Sequence, residues 1–548
     1  MAIVICTIII IALFVPACVM ALTHNMHMFQ QNGYKNGEHM SWLKRTLKRQ
    51  WLLIFAGVLG LLRMIPGYIY CVQTLEYPIA STPIRALTLI LDIFCIITLI
   101  LCYYVFRAMN RLNNKKKLVY TARVKRMIAT EIIVMVVLAL LSAVFIPLEC
   151  FAGTVMILMC LQWILPVMAN IINHPIEKAG HDKFINSAKK KLAEAENLTI
   201  IGVTGSYGKT SVKFYLKTLL SEHFNVLVTP ESYNTPLGVV KTINEQLLST
   251  HEIFVCEMGA RHVGDIKEIC DIVHPHHGVI TSIGPQHLET FFSMENIQST
   301  KFELADALPE GGMLFLNWDN EYIRDKAGEY SDGKKKILRF AQDNSGGGTY
   351  HAEDIRVSQL GTEFTVVTPD GDSESYQMRL VGEHNVINVL GAIAVAHQMG
   401  INLYDLRIPV RRLMPVEHRM QLREHGEVTI IDDAYNSNPV GSKAAVETLK
   451  LFDGIRILIT PGMVELGDKE EEYNYKFGTY AADCCDYIIL VGRDLVKPIE
   501  KGVLDSGFDK DRLWTFDNLQ DAMAQANAIR GEGHKYILLE NDLTDNYN

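Results

Sequence analysis

The residues best suited to chemistry gather in one stretch. Thr204, Gly205, Ser206, Tyr207, Gly208, Lys209, Thr210 and Ser211 follow a β-branched run at 199–203 and open a helical period at 212–220. Strand, glycine loop and helix in that order make a cradle for phosphate. The glycines let backbone N–H groups turn inward, the helix N-terminus favours an anion, and Lys209 can reach terminal phosphate oxygens. Thr210 offers a hydroxyl to Mg2+. The spacing departs from the general phosphate loop, because Val203 stands where its first glycine would be. Glu257 closes another apolar run, 253–256, where a carboxylate would meet the cation of such a loop. His287 follows a further strand and a turn. His274, His276 and His277 precede that strand and read as a connecting loop rather than a metal site, while Glu470, Glu471 and Glu472 read as a solvated helix start.

Such groups need elements that bring their loops to one edge. From Leu198 onward, β-branched runs at 199–203, 226–228, 253–256, 278–282 and 313–316 alternate with helical periods, which predicts a mostly parallel sheet flanked by helices. A second alternation begins near Pro415, with runs at 428–431, 455–459, 487–491, 513–516 and 536–539, and predicts a separate Rossmann-like domain. Gly346, Gly347 and Gly348 lie in a polar, β-rich stretch and read as a turn.

The first third is different. Apolar stretches at 2–22, 52–72, 86–106, 128–147 and 152–172 are each about the ~20 residues that cross a bilayer. Lys35, Lys44, Arg45, Lys48 and Arg49 follow the first, and Arg107, Arg111, Lys115, Lys116, Lys117, Arg123, Lys125 and Arg126 follow the third. The positive-inside rule then places both loops, and everything after Ile172, in the cytoplasm. Arg63, Asp92 and Glu131 lie within the spans; Arg63 can snorkel or pair with Asp92, Glu131 is near its span's basic end, and structural pairing or snorkelling is expected ahead of a transport path, with a substrate-headgroup role open. His174 to Leu192 mixes apolar residues with five lysines and reads as a basic amphipathic helix at the inner surface. The fold class is α/β preceded by a helical transmembrane bundle: 1–172 membrane region, 173–197 linker, 198–412 central nucleotide-binding domain, 413–548 C-terminal domain.

Composition narrows the function classes. With 548 residues the chain is too long for one core, and a net charge of -9 gives no electrostatic case for nucleic acid. The 11 cysteines include no C-x-x-C pair, which speaks against a disulfide framework or zinc ribbon.

Further motifs follow in order: Glu257-Met258-Gly259-Ala260, Gln286-His287-Leu288-Glu289, Lys301-Phe302-Glu303, Asn317-Trp318-Asp319-Asn320, Gly382-Glu383-His384-Asn385 and Asp432-Asp433-Ala434-Tyr435-Asn436-Ser437-Asn438-Pro439. With the loop they resemble the Mur ligase family of ATP-dependent amide-forming ligases, whose loop reads T-G-x-x-G-K-[ST], and within it the type that adds D-alanyl-D-alanine. The resemblance runs from Leu198 to the C-terminal end. It implies ATP and Mg2+ as cofactors, with Lys209, Glu257, His287, Lys301 and Arg419 as catalytic residues. Thr210, Glu257, His287 and Lys301, the last as a carbamate, would hold metal. Asn385 would contact adenine, or cap its helix; Asp433 would lie near the ribose, and Arg419 would reach the phosphates on domain closure. Asn234, Tyr435 and Asn436 would line the substrate cleft. Glu465-Leu466-Gly467-Asp468 is similar to a family loop without an assigned role.

The implied reaction phosphorylates a carboxylate to an acyl phosphate, which an amine then attacks. The partners would be a cell-wall precursor or another carboxylate, an amino acid or dipeptide amine, and the bilayer. Two departures bear on the substrate. Five spans stand where this type carries a soluble UDP-recognising domain, and Tyr536-Ile537-Leu538-Leu539-Glu540-Asn541-Asp542-Leu543 stands where it carries a K-G-S-R-like stretch. A Mur-fold ligase for another carboxylate, such as an amino-acid polymer or a lipid-linked peptide, is the enzymatic alternative. A transporter lacks its L-S-G-G-Q-like signature here, and a non-catalytic nucleotide-sensing scaffold leaves Lys209, Glu257, His287 and Arg419 unexplained.

Overall fold

The computed structural model describes residues 2–47, 50–76, 82–111, 117–331, 333–344, 349–435 and 437–542. Lys48, Arg49, Lys115, Lys116, the turn at Gly346, Gly347 and Gly348, the cleft residue Asn436 and Leu543 lie outside the described residues. The chain divides into two units, Met1–Asp182 and Lys183–Leu543.

In the first unit, helices Ile3–Gln31, Trp51–Val72, Pro83–Arg111 and Ala122–Phe145 are long and apolar enough to cross a bilayer. The fifth expected span is broken: Leu148–Trp163 and Leu165–Glu194 meet at 67°. Pro166 supplies the reason. It has no N–H to give to the carbonyl of Gln162, which removes one helical hydrogen bond at the break. That carbonyl instead accepts the Asn25 side-chain amide at 3.0 Å. Arg63 pairs with Asp92 at 2.5 Å, as expected, and also donates to the carbonyl of Glu149 at 2.8 Å. Glu131 does not snorkel. It is buried in the bundle, and neither carboxyl oxygen has a hydrogen-bond partner among the described residues.

The basic stretch after the last apolar run is not a separate helix; it continues Leu165–Glu194. Ala188 and Ile185 pack into the core of the second unit, and Lys191 donates to the carbonyl of Asn244 at 2.7 Å. The Phe184 carbonyl accepts the Asn244 side-chain amide at 3.0 Å, while the side chains of Ile176 and Phe184 are exposed.

The second unit carries the expected two α/β domains. The strands of the first are β1 (Thr199–Thr204), β2 (Val226–Val228), β3 (Ile253–Glu257), β4 (His277–Ile280), β5 (Met313–Asn317), β6 (Lys336–Ala341), β7 (Tyr350–Ser358), β8 (Gly361–Val367) and β9 (Ser373–Met378). They form one sheet in the order β2-β3-β1-β4-β5-β6-β7-β8-β9, parallel as far as β7 and antiparallel from β7 to β9. Buried clusters lie on both faces of the parallel part, which is why its strands read as unbroken apolar runs rather than alternating ones. The strands of the second are β10 (Gln421–His425), β11 (Val428–Asp433), β12 (Ile455–Thr460), β13 (Tyr487–Val491), β14 (Leu513–Phe516) and β15 (Lys535–Glu540). Their order is β10-β11-β15-β12-β13-β14, with only β10–β11 antiparallel among the described pairs. Val357 and Val381 of the first domain pack into the apolar core of the second.

Candidate active site

Because β1 lies between β3 and β4, the segments that leave the carboxyl ends of these parallel strands converge, as ligand-binding loops of open α/β sheets do. The phosphate loop leaves β1. Gly205 has φ +148°, and a Cβ there would lie 2.1 Å from the Thr281 hydroxyl; Gly208 has φ +79°, and its Cβ would meet Asn388 at 2.5 Å. Only glycine fits either place. The loop is pinned from β4: the N–H of Ser206 donates to the Ser282 carbonyl at 2.6 Å and that of Tyr207 to the Ser282 hydroxyl at 3.0 Å. The Ser206 hydroxyl donates to the Gly284 carbonyl at 3.0 Å, and the buried Thr204 hydroxyl to Met258. Thr281 and Ser282 therefore leave the strand at Ile280, two residues earlier than the sequence suggests, to serve the loop.

Gly208 is the N-cap of the helix Lys209–Leu220, and no side chain caps it. Helices starting at Pro236, Met294, Glu321 and Pro439 do have side-chain caps, from Thr235, Ser293, Asn320 and Asn438. The uncapped N–H groups of the Lys209 helix are thus free to meet an anion. Lys209 donates to the carbonyls of Gly205 and Ser206 at 2.7 and 3.0 Å. Burial pushes its pKa down to about 8, against the pull of Glu257 and with the help of Arg419.

Glu257, at the end of β3, is fully buried. Its Oε1 accepts the Thr210 hydroxyl at 3.1 Å and the Asn234 amide at 2.9 Å, and its Oε2 accepts the Lys213 ammonium at 2.9 Å. Burial raises the carboxyl, but Lys213, Lys209 and the Asn234 amide outweigh it and hold Glu257 below the usual carboxylate range. It is a charged oxygen ligand beside a hydroxyl. Asn234, expected in the substrate cleft, directs its amide to this carboxylate.

His287 is joined to the second domain. Its Nδ1 is hydrogen-bonded to Glu465, which also meets Arg261 at 3.3 Å. Burial lowers the imidazole pKa, while Glu465 opposes this. Lys301 is buried, on the helix Met294–Ala307, with its ammonium 6.0 Å from the centroid of the Phe291 ring. Burial, reinforced by the Lys209 charge, drives its pKa far down toward the neutral amine. His276 and His277 accept backbone N–H groups from Ile200 and Met313, in keeping with a structural loop. Among the described residues, no three or more His, Cys, Asp or Glu side chains converge to cage a metal. Thr210 and Glu257 nonetheless fit Mg2+, which commonly takes one or two protein oxygens and completes its shell with water and substrate phosphate.

The second domain closes the site. Arg419 Nη2 reaches the Thr210 hydroxyl at 3.4 Å and lies 4.8 Å from the Tyr435 ring centroid. Tyr435 donates its hydroxyl hydrogen bond to Ser232. Asp433, at the end of β11, accepts the Met420 N–H at 3.1 Å; burial raises its carboxyl to about 6 despite that bond and Arg419. Ser211 is buried in the first turn of the loop helix. Asn385 caps nothing. Gly382 holds the N-cap, and the buried Asn385 amide bridges the Val381 carbonyl at 2.9 Å and the Tyr215 hydroxyl at 3.1 Å. Sequence reasoning missed Lys213 and Arg261 and left Glu465 without a role. The one signal was a lysine among the apolar positions Val212, Tyr215 and Leu216.

Residues 203–396 match the Mur ligase middle domain, and residues 418–539 match the Mur ligase, glutamate ligase domain. The UDP-N-acetylmuramoyl-tripeptide--D-alanyl-D-alanine ligase of Escherichia coli (strain K12) is 32% identical over 347 residues, 62% of this chain and 75% of that protein. The chain belongs to the Mur ligase family. The ligase of the same name from Bacillus subtilis (strain 168) is 31% identical over 339 residues, 61% of this chain and 71% of the relative. The crystal structure of MurF from Acinetobacter baumannii superposes with a TM-score of 0.59 at 25% identity, covering 66% of this chain and 78% of that one. As a Mur ligase the chain is an ATP-dependent ligase, in agreement with the sequence. The middle-domain match begins at Val203, after the apolar helices.

Proposed function

We propose that this Mur ligase is membrane-anchored and joins D-alanyl-D-alanine, or a similar amine, to the carboxylate of a peptidoglycan precursor by way of an acyl phosphate, with release of ADP and phosphate. The observation that carries the reading is the juxtaposition of the Lys209 loop, the ionised Glu257 and the Arg419 that reaches Thr210 from the second domain. The names of the relatives supply the substrate pair. The long apolar helices support the anchor. With the basic loops after the first and third apolar stretches inside, a fifth crossing by the bent pair Leu148–Trp163 and Leu165–Glu194 would bring the site to the cytoplasmic face.

In this reading the loop N–H groups and Lys209 hold the phosphates of ATP. Thr210 and Glu257 hold Mg2+, with His287 and Lys301 in support. Bound Mg2+ neutralises charge on the transferring phosphoryl group. The substrate carboxylate attacks the γ-phosphorus, the β–γ bridge bond breaks to ADP, and the amine then displaces phosphate from the acyl carbon through a tetrahedral intermediate. The protein contributes position and fixed positive charge. Asn385 and Asp433 border the nucleotide, and Asn234, Tyr435 and Asn436 border the acceptor.

The decisive test offers detergent-purified protein UDP-muramoyl-tripeptide, D-alanyl-D-alanine and ATP, and reads ADP release and product mass. A pentapeptide product establishes the reaction. ATP binding with no product directs the search to a different, membrane-presented carboxylate, since the apolar helices stand where this type carries its UDP-recognising domain.

Two further outcomes are expected. Arg419→Ala lowers turnover about 10²-fold with little effect on nucleotide binding, since the guanidinium arrives from the other domain; Arg419→Lys restores only part, because a point charge lacks the planar fork. The kcat/KM for ATP, which reports the free enzyme, falls as pH rises through about 8, where Lys209 loses its proton. A profile flat to about pH 9.5 would mean that Lys209 keeps its proton in the free enzyme throughout that range.

A further inference from the structure

Lys213 sits one helical turn beyond Lys209, with its side chain 0% exposed and with Val212, Tyr215 and Leu216 of the surrounding helix in the apolar core. Its ammonium donates to Glu257 Oε2 at 2.9 Å and to the Glu231 carbonyl. Among the described residues, Glu257 Oε1 meets neutral donors, the Thr210 hydroxyl and the Asn234 amide. The two oxygens of one carboxylate are therefore unequal. One is tied to a fixed charge on a packed helix, and the other is turned to the phosphate loop by groups that rotate or yield.

We propose that Lys213 is a positioning residue that sets metal specificity: by holding Oε2, it leaves Glu257 a single oxygen, Oε1, to offer a divalent cation. The proposal rests on the reading of this site as a Mg2+-nucleotide site. Mg2+ demands compact octahedral geometry, whereas the larger Ca2+ readily takes both oxygens of a carboxylate. A clamped carboxylate selects the smaller ion. The Lys213 charge, set against that of Glu257, also keeps the site from gripping a cation before nucleotide arrives.

The test is calorimetric titration of the full-length, detergent-purified protein with Mg2+ and with Ca2+, with ADP present and absent. In Lys213→Met the ratio of Ca2+ to Mg2+ affinity is expected to rise about tenfold or more, and binding of either ion without ADP to strengthen, while turnover falls. Lys213→Arg keeps a cation on Oε2, and its ratio stays within about threefold of wild type. Should Lys213→Met fail to fold, Lys213→Gln, uncharged and shorter, carries the same expectation. A folded Met or Gln variant whose ratio matches wild type overturns the proposal and leaves Lys213 a structural residue. Wild-type protein that binds ADP with no metal dependence overturns the reading of the site itself, so the two failures are distinguishable.

Discussion

Lys209→Ala is expected to lower turnover by about 10³-fold or more, roughly 4 kcal/mol of lost stabilisation at the transferring phosphoryl group, while the protein stays folded. The ammonium donates to two loop carbonyls, Gly205 and Ser206, and makes no ion pair among the described residues. Its removal leaves those carbonyls beside an open loop where water can reach them. The burial that lowers its pKa to about 8 already works against the charged form, so folding gains little from it. Single-turnover measurement of ADP formation, beside a thermal melt, checks both halves. A melting point that falls with the activity would mean that the lysine holds the loop rather than the phosphates.

Glu257→Ala should cost both activity and stability. Turnover falls about 10²- to 10³-fold as the oxygen ligand is lost. Stability falls by about 3–5 kcal/mol because Lys213 is left as an uncompensated buried charge. For the unit Lys183–Leu543 melting together, that is a shift of roughly 5 °C. The double variant Glu257→Ala with Lys213→Met removes both charges and should recover most of the stability and none of the turnover. Thermal melts of the three proteins, read beside their ADP release, separate the two effects. Equal melting points for single and double variants would mean that the pair is not coupled.

The fold was largely legible because its strands are buried on both faces. Runs such as 226–228, 487–491 and 513–516 stand where β2, β13 and β14 are found, since an apolar β-branched stretch of that length has few other places to go. The antiparallel β7–β9 extension showed only as a polar, β-rich stretch, because half its side chains face outward. The break in the last apolar stretch turned on Pro166, whose effect depends on what receives the Gln162 carbonyl, and the receiver, Asn25, is distant in sequence. The loop, Glu257 and Arg419 could be read from motifs. Lys213 with Glu257 and His287 with Glu465 could not, because each pair is joined only by the way strands and domains pack. Asn385 looked like a cap because it follows Gly382 so closely; the helix begins two residues before it.

The two domains are joined in unlike ways at their two places of contact. At the site, the links are polar: Arg419 to Thr210, Glu465 to His287 and Arg261, Tyr435 to Ser232. Elsewhere Val357 and Val381 are sunk in the second domain's apolar core. Swinging apart about that greasy pivot would break ion pairs yet wet almost no hydrocarbon. Ionic strength, more than temperature, should then be the lever that sets how often the jaws part, with product escape quickening as salt screens the clasp and almost no heat-capacity change accompanying the motion.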